Sequence, residues 1–155
     1  MKTKTITINI EIYDYKEVSK EFRNLIDVAK SQTRKAYAPY SKFRVGAAVL
    51  LANGLIVSGN NQENIAYPSG LCAERVTVFY ANAQYPDTPI KAIAVAAFRG
   101  KKFTEEPVCP CSACLQTLLE SENRFGKPIK LILYGRSNIH IISSIKECVP
   151  LYFNF

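Results

Sequence analysis

Isoleucine occupies positions 6, 8, 10 and 12 of the run T-K-T-I-T-I-N-I-E-I-Y, residues 3–13. Successive side chains of an extended chain point to opposite faces, so a period of two predicts a strand with one buried face. The period then changes. Val18, Phe22, Leu25, Ile26 and Ala29 recur at helical spacing and predict a helix within 15–36. The run A-P-Y-S at 38–41 breaks it. V-G-A-A-V-L-L at 45–51 is apolar throughout and predicts a buried strand, A-N-G at 52–54 is a turn signal, and L-I-V-S-G at 55–59 pairs back.

Residues 60–71 are polar, hold Pro68 and Gly70, and predict a loop. A helix follows from near Cys72 to about Asn82. I-K-A-I-A-V-A-A at 90–97 predicts another strand, then a polar loop with Pro107 leads to C-P-C-S-A-C-L-Q-T-L-L-E at 109–120, a helix opened by Pro110. Strands are predicted at 129–134 and 138–142, and Ser143 or Ser144 can cap a short last helix. Strands alternating with helices predict a layered α/β domain, and the chain has no repeats, low-complexity segments or linkers that would divide residues 1–155.

Composition narrows the class. The chain of 155 residues is 48% hydrophobic and 21% charged, with no apolar run long enough to span a membrane. M-K-T-K-T-I-T-I-N-I lacks the apolar core and cleavage site of a secretion signal, which points to the cytoplasm. The net charge of +7 suits an anionic partner, but the basic residues are scattered and form no dense tract, so charge alone gives little support for binding nucleic acid.

Cysteine changes the picture more. There are five, at 72, 109, 111, 114 and 148. An odd number without a secretion signal argues for metal or thiolate chemistry over a disulfide framework. Cys111 and Cys114, in P-C-S-A-C, have the spacing that lets two sulfurs at a helix start converge on one ion, and zinc favours such ligands. Further ligands would come from Cys72, Cys109, Cys148 or His140. Cys72 is the best of these because it too opens a helix, where the positive dipole end favours thiolate. Three protein ligands leave a fourth position open for water, as in catalytic sites. Glu74, two residues on, can reach that water as a general acid–base. Three thiolates make the ion a weak Lewis acid, and Arg75 can draw off charge by donating to a cysteine sulfur. Cys109 and Cys148 read as small buried hydrophobes, and His140 as a structural histidine.

C-A-E-R at 72–75 together with P-C-S-A-C at 110–114 resembles the cytidine deaminase family, and so do A-Y-A-P-Y-S-K-F-R-V-G-A-A at 36–48, G-N-N-Q-E-N-I-A-Y-P-S-G at 59–70 and V-P-L-Y-F at 149–153. The resemblance implies a three-layer α/β/α fold with a mixed sheet of about five strands, to which residues 1–14 add an N-terminal extension with an extra strand. It implies hydrolytic deamination of cytidine or deoxycytidine to uridine or deoxyuridine by a zinc-bound hydroxide, in pyrimidine salvage, by a homotetramer that acts on the free nucleoside and not on polymeric nucleic acid. One Zn²⁺ per chain would be held by Cys72, Cys111 and Cys114, with Glu74 shuttling protons. The Ala73 N–H would hold the pyrimidine O2, Asn61 and Glu63 the ribose 3′-hydroxyl, and Phe43 would pack against the nucleoside. Tyr67 and Phe153 match positions that reach a neighbouring subunit's site.

Three departures stand out. Leu115 replaces the arginine usual after the second cysteine, with Gln116 kept; Cys148 stands where leucine is common; and the N-terminal strand is extra. Three other readings remain at this point: a deaminase for another aminopyrimidine nucleoside, a deaminase of RNA, and a zinc-stapled binding domain without turnover.

Overall fold

The computed structural model describes residues 1–153. Along the chain run β1 (Glu11–Tyr13), α1 (Lys20–Gln32), β2 (Phe43–Leu51), β3 (Ile56–Asn60), α2 (Ala73–Gln84), β4 (Ile90–Arg99), β5 (Lys102–Phe103), α3 (Ser112–Phe125), β6 (Lys130–Tyr134), β7 (Ile139–Ile142) and α4 (Ile145–Cys148). The seven strands form one mixed sheet in the order β1-β7-β6-β4-β2-β3, with the short β5 paired to β4. Only β4 and β6 run parallel; the other pairs are antiparallel. The sheet is thus the expected five strands, widened by β1 and β5.

The continuous apolar run of β2 follows from its place inside the sheet, where both faces are covered. Ala48 and Leu50 join Ala92, Ala94, Ala96 and Ile132 in a cluster under Leu25, Ile26 and Ala29 of α1. Ala47, Val49 and Leu51 face the other way, with Ile93, Val95, Leu131 and Leu133, against Val78 and Ala81 of α2, Leu115, Leu118 and Leu119 of α3, and Ile145 of α4. Two cores on opposite faces of one sheet make the three layers. Gly46 lets α1 approach: a Cβ built there would lie 2.0 Å from the Ala29 carbonyl oxygen, so no side chain fits.

The helix predicted across 15–36 is shorter. The Asp14 N–H donates to the Glu17 carboxylate at 2.9 Å and the Glu17 N–H to the Asp14 carbonyl at 3.0 Å, which closes a turn, and Ser19 then caps α1 through the Phe22 N–H at 3.3 Å. After Gln32 the chain tightens into a 3₁₀ turn, Thr33–Lys35.

The N-terminal strand departs most from expectation. Only Glu11–Tyr13 form a ladder, against Ile139–Ile141 of β7. In this register Ile10 would face Ile142, the last residue of β7, and from Asn9 back the strand would need partners beyond Ile142, where the chain leaves the sheet for the Ser144 cap of α4. The expected buried face is therefore open: Ile6, Ile8, Ile10 and Ile12 are 46, 45, 47 and 64% exposed. No helix among the described residues is long and apolar enough to cross a membrane.

The topology also positions the site. β3 and β4 both pair antiparallel with β2, so they run in the same direction. The chain passes from the end of β3 to α2 and from the end of β4, by way of β5, to α3, which brings both helix starts to one end of the sheet.

Candidate active site

Cys72 and Cys111 are the N-cap residues of α2 and α3, both in extended backbone, with ψ of 154° and 163°. Cys114 lies in the first turn of α3 and is fully buried. The Sγ atoms of Cys72, Cys111 and Cys114 all lie within 4.8 Å of one another, and those of Cys111 and Cys114 are 3.5 Å apart. Ligands at about 2.3 Å from a tetrahedral zinc sit about 3.8 Å from each other, so the thiols fit the ion. They are the only such cluster of His, Cys, Asp or Glu among the described residues.

The thiols differ in acidity. Cys72 accepts a hydrogen bond from the Cys114 thiol, which together with Arg75 and Cys111 lowers it to about 5. Cys114, as donor beside that thiolate, is pushed up. The Arg75 Nη2 lies 4.0 Å from the Cys72 Sγ, while its Nε is buried without a partner. Leu115 packs into the core against the sheet and brings no charge to the thiols.

Glu74 stands in the first turn of α2 and is 5% exposed. Burial pushes its carboxyl up to about 7; the Cys72 thiolate adds to the rise, while its own N–H, Cys114 and Arg75 oppose it. A carboxyl at that value can hold or release a proton near neutral pH. Ala73, fully buried, is the first residue of α2, where the backbone N–H has no partner within the helix.

A cavity of about 500 Å³ opens beside the thiols, lined by Tyr40, Ser41, Asn61, Gln62, Glu63, Asn64, Tyr67, Gly70, Leu71, Cys72 and Arg75. Asn61 and Glu63 reach it on a loop bound to its neighbours: Gln62 and Leu71 exchange N–H···O bonds at 2.9 Å, and the Glu63 N–H donates to the Tyr37 carbonyl at 2.9 Å. The Asn61 side chain accepts the Val45 N–H at 2.8 Å and donates to the Phe43 carbonyl at 2.9 Å. The Glu63 carboxylate accepts the N–H groups of Tyr40 and Ser41 at 2.9 and 3.3 Å, and also the Ser41 hydroxyl. That hydroxyl, with the two N–H groups and Lys42, holds the Glu63 carboxyl below the usual carboxylate range.

The structure thus gathers Asn61, Glu63, Tyr67, Cys72 and Arg75 around one cavity. Phe43 opens β2 and joins the site through its carbonyl; its ring is not part of the cavity wall. Phe153 lies on the C-terminal tail, 72% exposed and outside the wall. Tyr40, Ser41 and Gln62 line the cavity but were not read as site residues from sequence; the resemblance over 36–48 and 59–70 contains them but assigns them no role. Cys109 corrects an expectation: it is exposed. It lies in the loop between β5 and α3, where no core forms around it. Its thiol accepts a hydrogen bond from half-buried Cys148. His140 lies on β7 opposite Ile12, as a half-buried strand residue.

Paired helix starts bearing three thiols beside a buried carboxyl match the site of the zinc-dependent deaminases. The chain belongs to the family of the cytidine and deoxycytidylate deaminase zinc-binding region, whose model matches residues 19–125. A cytidine deaminase of Sporosarcina psychrophila is 44% identical over 100 residues, 64% of this chain and 69% of the relative. One from Halalkalibacterium halodurans is 42% identical over 96 residues, 62% and 68% of the two chains. The crystal structure of cytidine deaminase from Burkholderia pseudomallei matches with a TM-score of 0.72 at 36% identity, over 84% of this chain and 97% of that one. The enzyme from Mycobacterium tuberculosis matches with a TM-score of 0.69 at 27% identity, over 88% and 100%.

Proposed function

We propose that this chain converts free cytidine and deoxycytidine to uridine and deoxyuridine, releasing ammonia. The observation that carries the reading is the convergence of three Sγ atoms within 4.8 Å beside buried Glu74 and the cavity of about 500 Å³. Zinc, when held by Cys72, Cys111 and Cys114, supplies an activated water. Glu74 would take one proton from that water and pass it to N3 as the C4–O bond forms, then take the second proton from the hydroxyl on C4 and pass it to the amine, which leaves as ammonia while the C4 carbonyl forms. The burial of Glu74 beside the thiols supports this role, because a group that is to exchange protons with a water held there must stand within reach of it and shielded from bulk solvent.

The Ala73 N–H, at the start of α2, donates to the pyrimidine O2. Asn61 and Glu63 bind the ribose 3′-hydroxyl. Their bonds to the β2 backbone and to the Tyr40–Ser41 turn fix them in place before the substrate arrives. Oε2 of Glu63 already accepts two N–H groups, whereas Oε1 accepts only the Ser41 hydroxyl and has lone-pair capacity for a further donor. Phe43 serves the site through its carbonyl, which holds the Asn61 side chain, in place of the ring packing expected from the resemblance.

The working form is a homotetramer in which Tyr67 and Phe153 reach a neighbouring subunit's site. Exposed apolar side chains around the cavity support assembly: Tyr37, Tyr40, Ile65 and Tyr67 are 53, 46, 80 and 76% exposed. The chain acts as a single domain, in the cytoplasm, in pyrimidine salvage.

The test follows the ultraviolet change of cytidine with zinc-loaded wild type and Glu74→Ala. Turnover by the wild type and a loss of at least about 10³-fold in the variant are expected. No turnover by zinc-loaded wild type would sink the assignment. Equal turnover by Glu74→Ala would remove its proton-transfer role.

A further inference from the structure

The matched family region begins at residue 19, so the isoleucine stripe lies outside it. T-I-T-I-N-I-E-I-Y at 5–13 is built of strand-forming residues with alternating character, yet among the described residues only Glu11–Tyr13 join a strand ladder. β1 is the terminal strand of the sheet, and its outer edge is unpaired among the described residues. An exposed edge continuous with four exposed isoleucines is a template for another strand.

The sequence specifies which strand fits. In an antiparallel pair, residues i and j face each other with i + j constant, and a two-fold axis relates identical strands. With a sum of 18, Ile6 meets Ile12 and Ile8 meets Ile10, so all four isoleucines of each copy pair with isoleucines of the other. Lys4 then meets Asp14, and Asn9 meets itself on the axis. With a sum of 16, Ile12 faces Lys4; with 14, Ile10 faces Lys4 and Ile12 faces Lys2. Odd sums set isoleucines against polar residues.

Backbone direction agrees. The Asn9 N–H points inward, donating to the Glu147 carboxylate of α4 at 3.2 Å. Backbone groups alternate edges along a strand, which directs those of Ile8 and Ile10 outward. In the same register Ile8 and Ile10 exchange ladder hydrogen bonds, and Asn9–Asn9 is a non-hydrogen-bonded pair, with Cα atoms about 4.5 Å apart.

We propose that residues 4–14 pair antiparallel with the same segment of a second copy, joining two sheets across a two-fold axis through Asn9. The pairing covers both edges and sets the two isoleucine stripes side by side in cross-strand contact on one face, and because it is isologous it closes on itself without propagating. It does not depend on the tetramer or on the reaction.

The test is cross-linking of zinc-loaded Asn9→Cys protein with diamide, read on non-reducing gels and by peptide mapping. The Cα separation at the axis lies within disulfide reach. A disulfide between the two residue-9 positions is expected in most chains, with at least about tenfold less for Thr7→Cys, because residue 7 faces residue 11. Adding Ile8→Asp and Ile10→Asp to Asn9→Cys should lower the yield at least about tenfold. Both isoleucines are exposed, so helix content and bound zinc should hold. Absence of the 9–9 disulfide, equal yield from Thr7→Cys, or a yield unmoved by the two aspartates would each overturn the proposal.

Discussion

The Nη2 of Arg75 lies 4.0 Å from the Sγ of Cys72, on the first turn of the helix that Cys72 caps. Three thiolates on a divalent ion leave a net negative site, which opposes ionisation of a bound water. Leu115 contributes no charge from the core, and we propose that Arg75 takes this task on α2. Arg75→Gln is expected to lower kcat by about 10- to 100-fold with little change in KM and one zinc per chain retained. Steady-state kinetics with metal analysis check this; an unchanged kcat would leave Arg75 as part of the cavity wall only.

Glu74 costs the protein stability for the sake of its position. In the zinc-free protein its carboxyl rises from an ordinary 4.5 to about 7 because burial disfavours the charged form. The folded state therefore holds a proton that the unfolded chain releases. The stability from this group is fully present below about pH 4.5 and is lost as the pH rises towards 7. Chelator-treated Glu74→Gln has no such loss. Its stability relative to wild type should grow by about 3 kcal/mol between pH 4.5 and 8, then level off. Urea unfolding across that range measures the difference, and a flat difference would contradict the burial argument.

Glu122 is 3% exposed at the far end of α3 from the thiols. Its Oε2 accepts the N–H groups of Ile129 and Ile145 at 2.8 and 2.9 Å, and its Oε1 accepts the Ser144 hydroxyl at 2.6 Å. One carboxylate thus ties α3 to the segment before β6 and to the start of α4. Glu122→Ala leaves buried donors unpaired and is expected to cost roughly 3–5 kcal/mol, at about 1–3 kcal/mol for each unpaired group. Glu122→Gln keeps an oxygen for the two N–H groups and should recover most of this. Chemical denaturation of the two variants separates the hydrogen bonds from the charge.

Much of the site was legible because its parts are local. Cys72, Ala73 and Glu74 share one helix start and Cys111 and Cys114 another, so helical geometry alone aims each group. What sequence left open depended on neighbours distant along the chain. Asn61 and Glu63 read as polar loop residues whose roles came only from resemblance. Their bonds to Val45, Phe43, Tyr40 and Ser41 span 16 to 23 residues. Cys109 looked like a core residue because cysteine usually is one, and only the path of the β5–α3 loop exposes it.

The sequence by itself determined the alternation of strands and helices, the two apolar faces of β2 and the ligand motifs, since each is written in the spacing of neighbouring residues. Tertiary structure decided the strand order that brings the starts of α2 and α3 together and how far each strand pairs. Ile6, Ile8, Ile10 and Ile12 carry a strand's pattern in full, but a strand needs a partner as well as a pattern. Within one chain β7 provides it for three residues only, Glu11–Tyr13.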